Sequence, residues 1–326
     1  MSKTKNILVT GGAGYIGSHM VRVLLEKGYR PVVFDNLSTG HRAFVPRGVP
    51  FVKGDLRDPR DIEKVFTRFS FDAVMHFAAL IVVSESVARP LEYYENNVVG
   101  SLYLVQAMLR HKVCRIIFSS TAAIYGVPET NPLQENARIA PKNPYGETKA
   151  ITEKILMDVS AYSGLKYISL RYFNAAGAIK GAAIGEKHNP ETHLIPNVLK
   201  AAKHNRPFYI FGDNYRTRDG TCVRDYVHVM DLCEAHYLAL NYLNREGKSD
   251  VFNLGTGKGF TVREVVKAVE GIIGGAIKIN VQERRPGDVH RLVADPRKAE
   301  KILRWKCQRG LEEVIRSAWD WERSYE

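Results

Sequence analysis

Short runs of β-branched and aromatic residues recur through the first half of the chain: KNILV at 5–9, PVVFD at 31–35, FVKGD at 51–55, DAVMHFA at 72–78, RIIFSS at 115–120 and KYISLRYF at 166–173. Each has the length and composition of a strand. Between them apolar residues return with a helical period, in SHMVRVLLEKG at 18–28, DIEKVFTRF at 61–69, NVVGSLYLVQAMLRH at 97–111 and the segment that opens NPYGETKAITEK at 143–154. Strand and helix alternate, with gaps long enough for crossover connections. That pattern predicts an α/β fold, a Rossmann-type doubly wound parallel sheet with helices on both faces.

Past Asn174 the regularity breaks into AAGAIKGAAIGEKHNPETH, which reads as a long loop. Helices are then expected near 194–203, 229–244 and 261–273, with strands at 251–254 and 277–281. These form a smaller α/β region. The division expected is a first domain over 1–175, to which the chain returns near 222–250, and a smaller one over 176–326.

Composition narrows the function classes. With 326 residues, 45% hydrophobic and 25% charged, the chain is long enough for sizeable cores and ordinary for a globular protein. Lys and Arg outnumber Asp and Glu by 47 to 35, a formal charge of +12 that favours anionic partners. The basic residues are scattered, with neither a K/R-rich run nor a nucleic-acid motif, so phosphorylated small molecules are expected and nucleic acid is not. Cys114, Cys222, Cys233 and Cys307 lie far apart without C-x-x-C spacing, as reduced thiols of a cytoplasmic protein would. The apolar run in MSKTKNILVT is too short for a signal peptide or a membrane span, and no membrane association is expected.

The candidate chemistry begins at NILVTGGAGYIGSHMVRVLL, where a glycine cluster follows a strand and opens a helix. Gly11, Gly14 and Gly17 form G-x-x-G-x-x-G, the spacing that lets a pyrophosphate approach the backbone at a helix N-terminus. A side chain at Gly14 would block that approach. The next strand ends in Asp35, where dinucleotide folds place a carboxylate on the adenosine ribose, and an acid there repels a 2′-phosphate. NAD is therefore expected over NADP, with Arg42 as the feature that argues the other way. Asp55 suits either the adenine amino group or a turn.

NPYGETK places Asn143 as a helix cap, Pro144 at the first helical position, and Tyr145 and Lys149 one turn apart on one face. Alone this also suits a half-buried tyrosine beside a solvated lysine. A nicotinamide cofactor gives the pair a task, because an alcohol that loses hydride must also lose its hydroxyl proton to a base. A free phenol has a pKa of about 10, so a competent base at neutral pH needs roughly three units of depression. A cation one turn away, together with the positive nicotinamide, supplies the right sign of field. Thr121, at the carboxyl end of the 115–120 strand, is placed to bridge substrate oxygen and tyrosine.

Thr121, Tyr145 and Lys149 downstream of the glycine loop resemble the extended short-chain dehydrogenase/reductase family. The resemblance is nearly chain-long: GGAGYIGSH, FDNLSTGH, GDLRD, HFAAL, SVARPLEYYENNVVG, SSTAAIYG, LRYFNAAGA, RDGTCVRDYVHVMDL, NLGTGKG, RRPGD and a C-terminal W-x-W all look like the UDP-glucose/UDP-galactose 4-epimerases. It implies an isomerase with NAD-binding and UDP-sugar-binding domains that inverts sugar carbon 4 through a transient keto sugar without net redox. Thr121, Tyr145 and Lys149 would be catalytic. Tyr15, Ile16, Asn36, Leu56, Phe77, Ala78, Ala79, Asn96 and Phe173 would join Gly11, Gly14, Gly17, Asp35, Asp55, Tyr145 and Lys149 around NAD. Arg224 and Arg285 would neutralise the substrate pyrophosphate, Asp288 would take the uridine ribose, Asn174 a phosphate oxygen, and Leu194 and Phe211 would flank uracil, with His193 alongside. No metal is implied. A homodimer through the helices near 97–111 and 145–162 is.

This chain also departs from the pattern. Ile81 replaces a lysine found near the cofactor in some members, His193 an asparagine, and Leu292 a tyrosine that closes the sugar pocket, which leaves room for an N-acetyl group. UDP-pentoses and UDP-N-acetylhexosamines remain open as substrates. A 4,6-dehydratase would place carboxylates directly after the catalytic hydroxyl, where this chain has Ala122 and Ala123. A catalytically idle NAD-binding regulator would need Gly14 and Asp35 but not Thr121, Tyr145 and Lys149.

Overall fold

The computed structural model describes residues 5–181, 183–285 and 288–324, so Pro286 and Gly287 of the RRPGD run lie outside it. The runs read as strands form one seven-stranded sheet: β1 (Asn6–Thr10), β2 (Arg30–Asp35), β3 (Phe51–Lys53), β4 (Ala73–His76), β5 (Arg115–Thr121), β6 (Lys166–Tyr172) and β7 (Asp250–Leu254). Their order across the sheet is β7-β6-β5-β4-β1-β2-β3, and β1 pairs in parallel with both β2 and β4. The reversal at β1 and β4 is the switch point at which doubly wound sheets bind ligands beyond their carboxyl ends.

Between the strands run α1 (Tyr15–Glu26), α2 (Pro59–Arg68), α3 (Gly100–Arg110) and α4 (Pro144–Ser163). Local chemistry sets their ends. Asp58 accepts from the Arg60 amide, with Pro59 at the first position of α2. Asn143 accepts from the Gly146 amide at 2.8 Å, with Pro144 at the first position of α4, and Gly164 ends that helix at φ 74°. The helix expected over 97–111 differs: a π-helical turn, Tyr94–Val99, precedes α3. The wider turn swings Asn97 inward, where it accepts from the Leu80 amide at 2.8 Å and donates to Thr148 Oγ1 of α4 at 3.1 Å.

Two compact units divide the chain otherwise than at residue 175. One comprises Met1–Gly126, Ile139–Arg171 and Cys233–Phe252; the other comprises Val127–Arg138, Tyr172–Leu232 and Asn253–Glu326. Phe173 therefore belongs to the second unit. In the first, Leu8, Val74, Ile116 and Phe118 of the sheet pack with Ile62 of α2, Leu104 and Met108 of α3 and Leu156 of α4. In the second, helices Leu194–Lys203, Val262–Ile273 and Leu311–Ser324 share a core of Ile195, Leu199, Val265, Val269, Val314 and Ile315. Short strands complete it, Phe208–Phe211 pairing with Ile279–Gln282, and Val223–Arg224 lying between Phe260–Thr261 and Arg291–Leu292.

Beneath α4 a charge pair is taken wholly out of water. The Glu153 and Arg171 side chains are 7% and 5% exposed and meet at 2.6 Å, and Arg171 Nη1 also donates to the Tyr125 hydroxyl at 3.0 Å. Removing one partner strands the other's charge, which costs about 3–5 kcal/mol, whereas replacing both with apolar residues of similar volume is far milder. Glu153→Met and Arg171→Met should each lower the urea midpoint of unfolding sharply, and the double variant should recover most of the loss. Additive losses would show that the pair is not the coupled unit described.

Candidate active site

In the first unit, β1 turns sharply into α1. Gly11 has φ +72°, and a Cβ there would fall 2.5 Å from the Ala78 amide nitrogen. At Gly17 a Cβ would fall 2.2 Å from the Gly11 carbonyl oxygen, so only glycine permits this closeness of helix and turn. Gly14 differs. Its missing Cβ would meet only the Gly11 oxygen, at 3.2 Å, and no side chain caps the helix it opens. Space and uncapped amides fit a pyrophosphate.

Asp35 accepts from the Ala13 amide at 2.9 Å and the Leu37 amide at 2.8 Å, which holds the carboxylate beside the glycine turn. Burial raises its pKa, against those two bonds. Arg42 lies over the Phe51 ring at 4.7 Å, with Nη1 3.4 Å from the Val45 carbonyl, so the residue that favoured a 2′-phosphate has other work. Asp55 forms a bidentate pair with Arg57 at 3.0 and 2.7 Å and accepts from Asn36 at 3.1 Å. Arg57 holds that carboxyl well below the usual range. Phe77 and Ala78 follow β4, with Phe77 against His236 at 4.7 Å, and Asn96 donates to Asn97 Oδ1 at 2.9 Å.

Thr121, Tyr145 and Lys149 come together where β5 meets the start of α4. The Thr121 hydroxyl accepts from the Ala123 amide at 3.1 Å and is near enough to the Tyr145 hydroxyl to lower its pKa. Lys149 is 3% exposed; its ammonium donates to the Ser119 carbonyl at 2.8 Å and lies 4.8 Å from the centre of the Phe118 ring. Burial pulls its pKa down to about 7, against the field of Glu153. In the chain by itself burial raises the Tyr145 pKa, and the opposing influence is Thr121. Desolvation of the phenolate is the larger of the two influences.

Sequence reasoning missed the support behind these three residues. His76, held neutral by burial with its pKa down at about 3, bonds Thr10 Oγ1 at 2.7 Å and Ser101 Oγ at 2.9 Å. Ser101 in turn donates to the Asn97 carbonyl at 2.5 Å, so its oxygen receives a proton from His76 Nε2. Ser120 donates to Glu153 at 2.5 Å. Glu153 repeats the four-residue step of Tyr145 and Lys149, a periodicity that would have identified it.

In the second unit, the Arg224 guanidinium stands 3.5 Å from Asp288 and donates to the Val289 carbonyl at 2.6 Å. Arg285 stacks on Phe211 at 3.6 Å. Asn174 opens a short strand and donates its amide to Asp225 O at 3.0 Å. His193 precedes Leu194, the first residue of its helix, and Leu292 pairs in register with Arg224.

A family profile described as GDP-mannose 4,6 dehydratase matches residues 8–318. A UDP-glucose 4-epimerase of Halalkalibacterium halodurans is 50% identical over 321 residues, 98% of this chain and 96% of its own. The solved UDP-glucose 4-epimerase of Brucella ovis in complex with NAD is 44% identical, with TM-score 0.94 over 97% of this chain and 98% of that one. That of Bifidobacterium longum in complex with NAD+ and UDP is 40% identical, with TM-score 0.93 over 98% of each.

Lys149 makes stability depend on pH in a definite direction. Below pH 7 the ammonium is charged in folded and unfolded chains alike, and its burial cost is fully present. Between 7 and the ordinary value of 10.5 the folded protein releases the proton first, the unfolded chain holds more protons, and stability rises. Relative to Lys149→Met, the cofactor-free protein should gain roughly 2–4 kcal/mol of unfolding free energy from pH 7 to 10 by urea titration. A difference that is flat or falls with pH would show the ammonium to be solvated.

Proposed function

The chain belongs to the UDP-glucose 4-epimerases of the extended short-chain dehydrogenase/reductase family, and on that premise we propose which of its residues carry the reaction. The reaction is NAD-dependent inversion at carbon 4 of UDP-glucose and UDP-galactose through a transient 4-keto sugar. Tyr145 and the buried Lys149 one turn apart on the same helix, with the Lys149 ammonium on the Ser119 carbonyl two residues before Thr121, are the observation that carries the reading.

NAD, when bound, accepts the carbon-4 hydride and returns it. Gly14 and the N-terminus of α1 bind its pyrophosphate, and Asp35 takes its adenosine ribose hydroxyls. Tyr145 removes the proton from the carbon-4 hydroxyl and later restores it, Thr121 holds the same oxygen, and Lys149 supplies positive charge beneath the phenol. Arg224 and Arg285 neutralise the UDP pyrophosphate, Asp288 binds the uridine ribose, and Phe211 and Leu194 hold uracil. Elimination of the dehydratase kind needs an added acid and base after Thr121, and Ala122 and Ala123 provide neither. The purified protein should convert UDP-galactose to UDP-glucose without added NAD, and Tyr145→Phe should lower kcat by at least ~10²-fold. In the same assay Leu292 predicts slower but measurable turnover of UDP-N-acetylglucosamine. Undiminished conversion by Tyr145→Phe would remove the assignment.

The assembly proposed is a homodimer in the cytoplasm. Val87, Leu91, Met157 and Tyr162 are 64%, 82%, 48% and 92% exposed, on α4 and on the short helices Val83–Ala88 and Pro90–Tyr93 that pack against it. Such apolar exposure beside the helices expected to pair supports an interface there. Among the described residues no helix is long and apolar enough to cross a membrane, and the four cysteines are free thiols. Sedimentation should give the mass of two chains, and Leu91→Lys with Met157→Lys should give one; two-chain mass in the double variant would place the interface elsewhere.

A further inference from the structure

The segment entering helix Leu194–Lys203 carries Glu186, His188, Glu191 and His193, each offering a ligand atom within 4.8 Å of all the others. We propose that Glu186 Oε1, His188 Nδ1, Glu191 Oε2 and His193 Nδ1 form a structural zinc site closed by four protein ligands. The site shares His193 with the expected substrate site, but the proposal does not rest on the catalytic reading.

Distances carry it. His188 Nδ1 lies 3.6 Å from Glu186 Oε1 and 3.6 Å from Glu191 Oε2, and all four ligand atoms lie within 4.8 Å of one another. These separations are too long for good hydrogen bonds, and His188 Nδ1 and Glu191 Oε2 are buried without a hydrogen-bond partner. A tetrahedral ion with bonds of about 2.0–2.1 Å holds its ligand atoms about 3.3 Å apart, close to what is found. One contact is shorter, His193 Nδ1 to Glu186 Oε1 at 2.6 Å, and loading would widen it by about 0.7 Å.

Charge and support agree. The two carboxylates are 6% and 4% exposed, and one divalent cation neutralises both while the imidazoles bind as neutral ligands. Lys200 is 3.9 Å from Glu191 Oε2, beyond a hydrogen bond, and does not satisfy that atom. Glu191 Oε1 accepts from the Thr192 and His193 amides, both at 2.9 Å, which fixes the carboxylate and leaves Oε2 turned to the cluster. Asn197 donates to the Glu191 carbonyl at 3.2 Å and Trp321 to the Glu186 carbonyl at 3.2 Å, tying the backbone on either side. Two imidazoles with two carboxylates suit zinc; calcium and magnesium require more oxygens.

The test is metal content and uptake on the full chain purified without a histidine tag. Elemental analysis should find about one zinc per chain. Protein stripped with chelator should regain Zn2+ in competition with a chromophoric chelator, and Co2+ should give the intense visible absorption of a four-coordinate ion. His188→Ala and Glu191→Gln should each weaken Zn2+ binding by more than ~100-fold, since even outer-shell changes cost 10–100-fold. Glu191→Gln keeps an acceptor for the two amides, so it reports on the ligand even where His188→Ala folds poorly. Failure of the stripped protein to take up Zn2+, or uptake unchanged in Glu191→Gln, would overturn the site and leave a polar network of histidines and carboxylates.

Discussion

Three consecutive residues at the end of β5 each hold one residue of α4. The Ser119 carbonyl takes the Lys149 ammonium, the Ser120 hydroxyl takes Glu153, and the Thr121 hydroxyl meets Tyr145. Successive side chains of a strand face opposite ways, and here Ser119 uses its backbone while Ser120 and Thr121 use side chains where the strand ends. The proposed catalytic constellation is therefore one side of a strand-to-helix seam rather than three residues independently aimed. Any slip of α4 by one residue would unmake all three contacts together.

That seam also sets the charge balance. Arg171 and Lys149 flank Glu153, so two cations and one anion sit in a region almost closed to water. Arg171 takes the carboxylate in a fork of bonds at 2.6–3.1 Å, and the excess positive charge falls on Lys149. Desolvation then makes that ammonium easy to deprotonate, and the same desolvation makes the phenol hard to ionise. The chain alone thus keeps Tyr145 protonated. In the proposed reaction Tyr145 would ionise as base when further positive charge arrives, which the positively charged form of the cofactor would supply.

The strands, the helix boundaries at Asn143 and Gly164, and the glycine turn were legible because each is decided by neighbours in sequence. So was the face shared by Tyr145 and Lys149. The direction of the phenol's shift was not legible, because spacing reports distance and says nothing of dielectric. Asn97 escaped because an α-helical period runs through it, whereas the π-helical turn follows from bonds to Leu80 and Thr148 that no local pattern encodes. The EKHNPETH segment read as loop, which it is in backbone terms. Its cluster depends on a fold of the loop onto itself, and its spacing matches no common zinc motif.

The run RDGTCVRDYVHVMDL, the most specific resemblance, shows what such specificity consists of. Arg224 is its residue expected at the substrate, while three acids six residues apart organise the surrounding backbone. Asp219 accepts from the Thr221 amide and from Thr261 Oγ1. Asp225, fully buried, receives the Thr256, Gly257 and Ala294 amides and the Thr256 hydroxyl. Asp231 receives the amides of Gln308 and Arg309. Burial raises the Asp225 pKa, and each amide bond opposes that rise by favouring the anion. Such carboxylates join strands and loops distant in sequence at a single point, so replacing one frees several amides at once. The run is constrained chiefly by these convergences, and the arginine at its centre is held by them.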